Sequence, residues 1–323
     1  MGIPITVVSG FLGAGKTTLV NQVLQNQYYL PEEVLIIENE FGSVGMDHDF
    51  LLHVEENIYQ LNNGCLCCSL RGDLIKAFDA IIKSILAKGV KLKSLIIETT
   101  GVADPQPIIQ TLITTPSIMA HFYIDSIITV IDSDYYNDAA IHPETIKQVM
   151  LADRLVVSEK SELSNDDKKR IEDDLKALNP LADTLFYDKR DGFSSEDFFS
   201  LNRFRLVEEV ALPKMNEQHE HHHSHSSHEF ESFYLPAPNL LNQALFLRWL
   251  DWLLFEFDQK LYRFKGILAF DEYELAVQIQ GVNQQVSFEM RPELATEVKT
   301  GLVLIGQELD REKIETSFKD LIQ

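Results

Sequence analysis

The octapeptide "GFLGAGKT" at residues 10–17 limits what this chain can fold into more than any other stretch. It fits the spacing Gly-x-x-x-x-Gly-Lys-Thr. It follows the apolar run "ITVVS" (5–9) and leads into the helical pattern "GKTTLVNQVLQNQ", with Leu19, Val20, Val23 and Leu24 on one face. Strand, glycine-rich turn and helix in that order make a cradle for phosphate. Backbone N–H groups across Gly10, Phe11, Leu12, Gly13, Ala14 and Gly15 curl around the oxygens, and glycine relieves the steric limits of the turn. The helix then points its positive end at the anion. Lys16 reaches for the β- and γ-phosphates, Thr17 offers its hydroxyl to Mg2+, and Thr18 closes the same binding segment.

The rest of the first half supplies a setting for that loop. The runs "VLIIE" (34–38), "LIIE" (95–98), "IITVID" (127–132) and "RLVVS" (154–158) are apolar at successive positions. Such runs suit strands buried on both faces of a parallel sheet. Helical patterns lie between them; "SNDDKKRIEDDLKAL" opens on Ser164 as the expected N-cap. The expectation is an α/β nucleotide domain over residues 1–205, with a doubly wound, mostly parallel sheet. A low-complexity tract, "EQHEHHHSHSSHEF", then marks a flexible linker over 206–230. Residues 231–323 read as a smaller α+β domain: a strand, a helix near 240–257, four strands, and a last helix capped by Asp310. The helix near 240–257 is interrupted by Asn242, Gln243, Arg248, Asp251 and Glu256, too polar to span a bilayer.

A nucleoside-triphosphate site needs acidic groups at strand ends to hold the metal and orient water. Glu98 ends one strand, with Gly101 three residues on, the spacing of a segment that senses the γ-phosphate. Glu38 and Glu40 follow another strand. Where a base-reading loop belongs, the chain has Glu159, Lys160, Ser161 and Glu162 in place of Asn-Lys-x-Asp. Glu162 keeps a carboxylate for guanine N1 and N2, whereas Glu159 replaces an amide by a charge. GTP is the expected nucleotide, and Glu159 is the feature that could weaken its preference over ATP.

Cys65, Cys67 and Cys68 are the only cysteines in 323 residues. The N-terminus lacks the basic start and cleavage site of a signal peptide, so the expected location is the cytosol. In that reducing compartment, clustered thiols point to metal before disulfide. Cys-x-Cys can chelate a borderline-soft ion such as Zn2+, with Cys68 as a third sulfur and Glu38 as a fourth donor. A redox role suits the cluster less well, because the usual two-residue spacer is missing. With 28 basic and 50 acidic residues, the formal charge of −22 argues against nucleic acid or an anionic membrane as partner.

Together and in this order, "GFLGAGKTT", "IENEFG", "NGCLCC" and "IIETTGVADP" resemble the CobW-type GTPases, nearest their YjiA branch. The likeness extends into "KLYRFKGILAF" and "GLVLIGQEL" and so covers nearly the whole chain. It implies a P-loop metallochaperone in which Lys16 and Thr17 bind phosphate and magnesium. Glu38, or its neighbour Glu40, and Glu98 serve the switch segments, and the three cysteines bind a transition metal, usually zinc. Where the family often has a further glutamate after "ENEFG", this chain has Ser43, so a site using that position loses a ligand. The linker histidines, His219, His221, His222, His223, His225 and His228, resemble metal-loading tracts; neutral imidazole binds Zn2+, Co2+, Ni2+ or Cu2+.

The resulting expectation is a GTPase that couples GTP and GDP states to binding a divalent metal. Its C-terminal domain would dock a metal-acceptor protein or a second subunit. Two other classes share the phosphate loop. A small-molecule kinase leaves the thiols and histidines without a task. A zinc buffer with a vestigial nucleotide site sits poorly with the intact Gly15-Lys16-Thr17.

Overall fold

Continuous apolar runs become strands when both faces are covered, and among the described residues seven parallel strands form one sheet. The computed structural model describes residues 2–38, 58–60, 68–89, 91–134, 143–159, 161–205 and 230–322. Its first sheet comprises β1 (Ile3–Gly10), β2 (Val34–Glu38), β3 (Ile58–Gln60), β4 (Ser94–Glu98), β5 (Phe122–Asp132), β6 (Arg154–Glu159) and β7 (Asp183–Asp188). Their spatial order is β3-β2-β4-β1-β5-β6-β7, and every neighbouring pair runs parallel. Val7, Val8, Ile37, Ile96, Ile97, Ile127, Ile128, Val156 and Val157 are fully buried, which is why these strands show no polar alternation.

The connecting helices are α1 (Lys16–Gln25), α2 (Cys68–Lys88), α3 (Gln106–Thr114), the short α4 (Pro116–Met119), α5 (Pro143–Leu151) and α6 (Asn165–Leu178). On α1, Leu19, Val20 and Val23 face the core and Leu24 packs at its margin. Ser164 caps α6, its Oγ accepting from Asp167 N at 3.1 Å. Because the strands are parallel, their C-terminal ends share one edge. The loop after β1 leaves that edge where connections diverge to either side, the place where open α/β sheets bind ligands.

Two strands went unread in the sequence. β3 has three residues, too few for a periodic signal. β7, "DTLFYD", is an edge strand with only Tyr187 fully buried, so its composition is mixed.

The second sheet contains β8 (Phe230–Pro236), β9 (Leu261–Leu268), β10 (Leu275–Val282), β11 (Gln285–Leu294) and β12 (Gly301–Gln307). They are ordered β11-β10-β9-β12-β8 and paired antiparallel throughout. With α7 (Gln243–Glu256) and α8 (Arg311–Ile322), the element order is the expected strand, helix, four strands and helix. Phe233, Phe246, Leu253, Phe264, Leu304 and Phe318 centre its core. Trp249 is buried there because its indole N–H reaches Ser317 Oγ at 3.0 Å. Asp310 caps α8 through Lys313 N at 3.0 Å. Asn242, expected within the helix near 240–257, is instead the N-cap of α7, accepting from Leu245 N at 3.1 Å.

By backbone contacts the chain divides into two units, Met1–Ile171 with Asp183–Arg205 and Glu172–Ala182 with Leu206–Gln323. No helix among the described residues is long and apolar enough to cross a membrane.

Candidate functional site: a phosphate loop beside two strand-end carboxylates

The turn between β1 and α1 needs a backbone that side chains resist. Gly10, Gly13 and Gly15 have φ of 139°, 75° and 103°. At Gly10 space forbids a side chain as well, since a Cβ would lie 2.2 Å from the Val130 carbonyl oxygen. Lys16 opens α1 and is 8% exposed. Its ammonium donates to the carbonyl oxygens of Gly10 (2.9 Å) and Phe11 (3.1 Å). Burial pulls the Lys16 pKa below that of an ordinary lysine, and the nearby Glu98 charge partly offsets this.

The Thr17 hydroxyl donates to Glu98 Oε1 at 2.5 Å. Glu98 is buried at the end of β4, brought there by strand register: Val8 of β1 is its partner on one side and Glu38 of β2 on the other. Two strand-end carboxylates therefore stand on adjacent strands at the edge carrying the phosphate loop. Beyond Glu38 the next registered residue is Gln60 of β3. From Gln60 the chain enters residues 61–67, and α2 begins at Cys68. Gly101 follows the same β4 end, so close to the phosphate loop that a Cβ would fall 2.4 Å from Leu12 N.

Of the candidate metal ligands, Glu40, Cys65, Cys67, His219, His221, His222, His223, His225 and His228 lie outside the described residues, as does Lys160 of the base loop. Of Cys68, only the backbone is described. Among the described residues, no three His, Cys, Asp or Glu side chains converge on a metal-sized site.

In the segment expected to read the base, Glu159 and Ser161 are held by their neighbours. Glu159 accepts from Lys168 Nζ of α6 at 2.8 Å, so its carboxylate is neutralised where a guanine reader has an amide. Ser161 donates to Asp134 Oδ1 at 2.8 Å, and Glu162 is exposed. From its position alone, the sequence suggests that "FYDKRDG" (186–192) borders the base, and the segment flanks the phosphate loop. The Lys189 amine would be 3.6 Å from a Cβ on Gly15, and the Lys189 carbonyl accepts from Gln22 Nε2 of α1 at 3.1 Å. Tyr187 donates to Gln22 Oε1. Asp188, registered against Glu159, is clasped by the Arg190 guanidinium, which holds its carboxyl down to about 2. "FYDKRDG" carries two adjacent cations after a strand, but no recognised spacing marks them as a site.

This site can hold a polyphosphate with backbone N–H groups and one ammonium, and can offer hard oxygen donors beside it. The sequence profile described as CobW/HypB/UreG, nucleotide-binding domain, matches residues 4–186. That of the cobalamin synthesis protein cobW C-terminal domain matches residues 230–322. Over 322 residues the chain is 30% identical to the zinc chaperone YjiA of Escherichia coli strain K12, covering 99% of this chain and 98% of that one. It is 29% identical to the zinc chaperone CobW of Pseudomonas aeruginosa, over 98% of this chain and 91% of the relative. Among solved structures, the Zn(II)-bound YjiA GTPase from E. coli matches over 100% of both chains, with a TM-score of 0.81 and 26% sequence identity.

Proposed function

Because the chain belongs to the CobW/HypB/UreG nucleotide-binding family and carries the CobW C-terminal domain, we propose that it is a GTP-hydrolysing zinc chaperone in which nucleotide state governs metal binding and release. One observation carries this reading: Glu98, bonded to Thr17 of the phosphate loop, is the register partner of Glu38. Glu38 is the donor we assign to the thiol cluster. A displacement at the terminal phosphate thus has a path of one strand spacing to the metal ligands.

Hydrolysis asks the protein for positioning more than for covalent chemistry. The Lys16 ammonium, now on two loop carbonyls, is the chain's own cation for the terminal phosphates. The Thr17 hydroxyl and Glu98 carboxylate are hard oxygen donors in contact, a set that suits Mg2+. When bound, Mg2+ offsets phosphate charge. Glu98 is also the group that orients attacking water. Lys160, Ser161 and Glu162 border the base, with Glu159 restrained by Lys168.

Cys65, Cys67 and Cys68, with Glu38 or Glu40, are the ligands we assign to the cargo ion, zinc, or Co2+ or Ni2+ of similar donor preference. The six linker histidines capture metal for that site. We assign the GTPase domain to 1–205, the linker to 206–230 and the acceptor- or self-docking domain to 231–323, acting in the cytosol.

The decisive experiment measures zinc affinity with GDP and with a non-hydrolysable GTP analogue, and GTP and ATP turnover with and without one equivalent of zinc. The parent and Cys67→Ser are compared. Zinc should bind differently in the two nucleotide states and alter turnover in the parent only. Equal zinc affinity in both states defeats the coupling.

A further inference from the structure

The loop after β4 is gripped from two sides. On one, Gly101 presses on the Leu12 backbone of the phosphate loop. On the other is α5, which sequence reasoning gave no task. Gln148 of α5 is fully buried, and its amide nitrogen donates to the carbonyl oxygens of Gly101 (3.3 Å) and Ala103 (3.0 Å). One residue earlier, Lys147 lies 3.6 Å from the Asp104 carboxylate. The main-chain carbonyl of Gln148 in turn accepts from Thr129 Oγ1 at 2.9 Å, and Thr129 Oγ1 is 3.3 Å from the hydroxyl of Ser9, the residue before Gly10. A continuous buried polar chain therefore joins the root of the phosphate loop, through β5 and α5, to the loop after β4.

That grip leaves polar atoms unused. Gln148 Oε1 and Thr145 Oγ1 on α5, and Thr100 Oγ1 in the loop, are buried without a hydrogen-bond partner among the described residues. Buried unpaired groups are unfavourable and rare enough to need a reason. An element with two arrangements supplies one. The observed position satisfies both N–H donors of the Gln148 amide, and a displaced loop has acceptors and hydroxyls waiting for its backbone.

Resting on the nucleotide reading above, we propose that Gln148 is a positioning residue: its amide sets the Gly101–Ala103 loop against the phosphate loop and exchanges partners when the nucleotide changes. It touches no reacting atom; it acts through the loop.

The test compares the parent with Gln148→Glu, which keeps size but loses both N–H donors, and with Gln148→Asn, which keeps the amide on a shorter arm. Lys147→Ala is a milder cut at the same grip, should the buried variants unfold. For Gln148→Glu, kcat for GTP should fall about tenfold or more while KM for GTP and Kd for GDP stay within about threefold, with smaller losses in the other two. Amide hydrogen exchange over 99–104 should differ between GDP and a non-hydrolysable GTP analogue in the parent and lose that difference in Gln148→Glu. An unchanged kcat overturns the proposal, as does a parallel loss of kcat, KM and GDP affinity that tracks thermal stability. Exchange over 99–104 that ignores nucleotide in the parent overturns it too, whatever the turnover. A parent that binds no nucleotide defeats the functional reading itself.

Discussion

At the scale of single residues, the phosphate loop is the part of the site most fully encoded by its letters. Each glycine of the motif has positive φ, Lys16 donates to the Gly10 and Phe11 carbonyls, and Thr17 donates to Glu98. What the letters could not give is the electrostatic setting of Lys16. Burial lowers its pKa, so its charge is lost at a lower pH than an exposed lysine would lose it. The ammonium is charged below its pKa, so the sign is fixed: GDP affinity holds near neutrality and declines as pH rises through that lowered value. A fluorescent GDP titration from about pH 7 to 10 checks this; Lys16→Met should bind weakly with little dependence over the range. Glu159 teaches a related lesson. Its charge reads as a defect in a guanine loop, but Lys168 sits 2.8 Å away and neutralises it. The two residues are nine positions apart, on a strand end and a helix, so no local motif reveals the pair.

At the scale of elements, strands buried on both faces were legible, whereas the short β3 and the edge strand β7 were not. β7 is secured instead by polar contacts that periodicity cannot show. Arg154, at the start of β6 and 5% exposed, binds Asp183 of β7 through Nε and Nη2 (2.7 Å) and Asp197 through Nη1. Removing Arg154 takes that cation from Asp197 and leaves Asp183 with the Arg203 guanidinium, 3.0 Å away, at the base of β7. Both acids are partly exposed, which softens the loss, so Arg154→Ala should destabilise the chain by about 2–3 kcal/mol, at or below the lower end for a broken buried pair. Urea unfolding checks the magnitude; a change under about 0.5 kcal/mol, typical of a surface site, would mean that β7 is held by packing alone. Because β7 carries Lys189 to the phosphate loop, nucleotide affinity should fall with it. In the second sheet, the run β9, β10 and β11 pairs in sequence order, whereas β12 pairs with β9 and β8, which are distant in the chain.

At the scale of the whole molecule, the proposed cycle assigns capture to the histidine tract and delivery to the thiols. Replacing His219, His221, His222, His223, His225 and His228 by serine should lower the number of zinc ions bound at equilibrium dialysis. GTP turnover should stay within about twofold of the parent, because the tract lies outside the hydrolytic machinery. Unchanged zinc stoichiometry would reduce the tract to a spacer. The sequence by itself determined the phosphate loop, the α/β and α+β division, the strand-end acids and the succession of elements after residue 230. Each rests on a pattern within a few neighbouring residues, such as a turn only glycine allows or a face only apolar residues fill. Tertiary structure alone decided that Glu38 stands beside Glu98, that Lys189 reaches Gly15, that Lys168 quiets Glu159 and that Gln148 holds the loop at Gly101. Those pairings depend on strand order and register, which are fixed when distant segments pack together and leave no local trace in the chain.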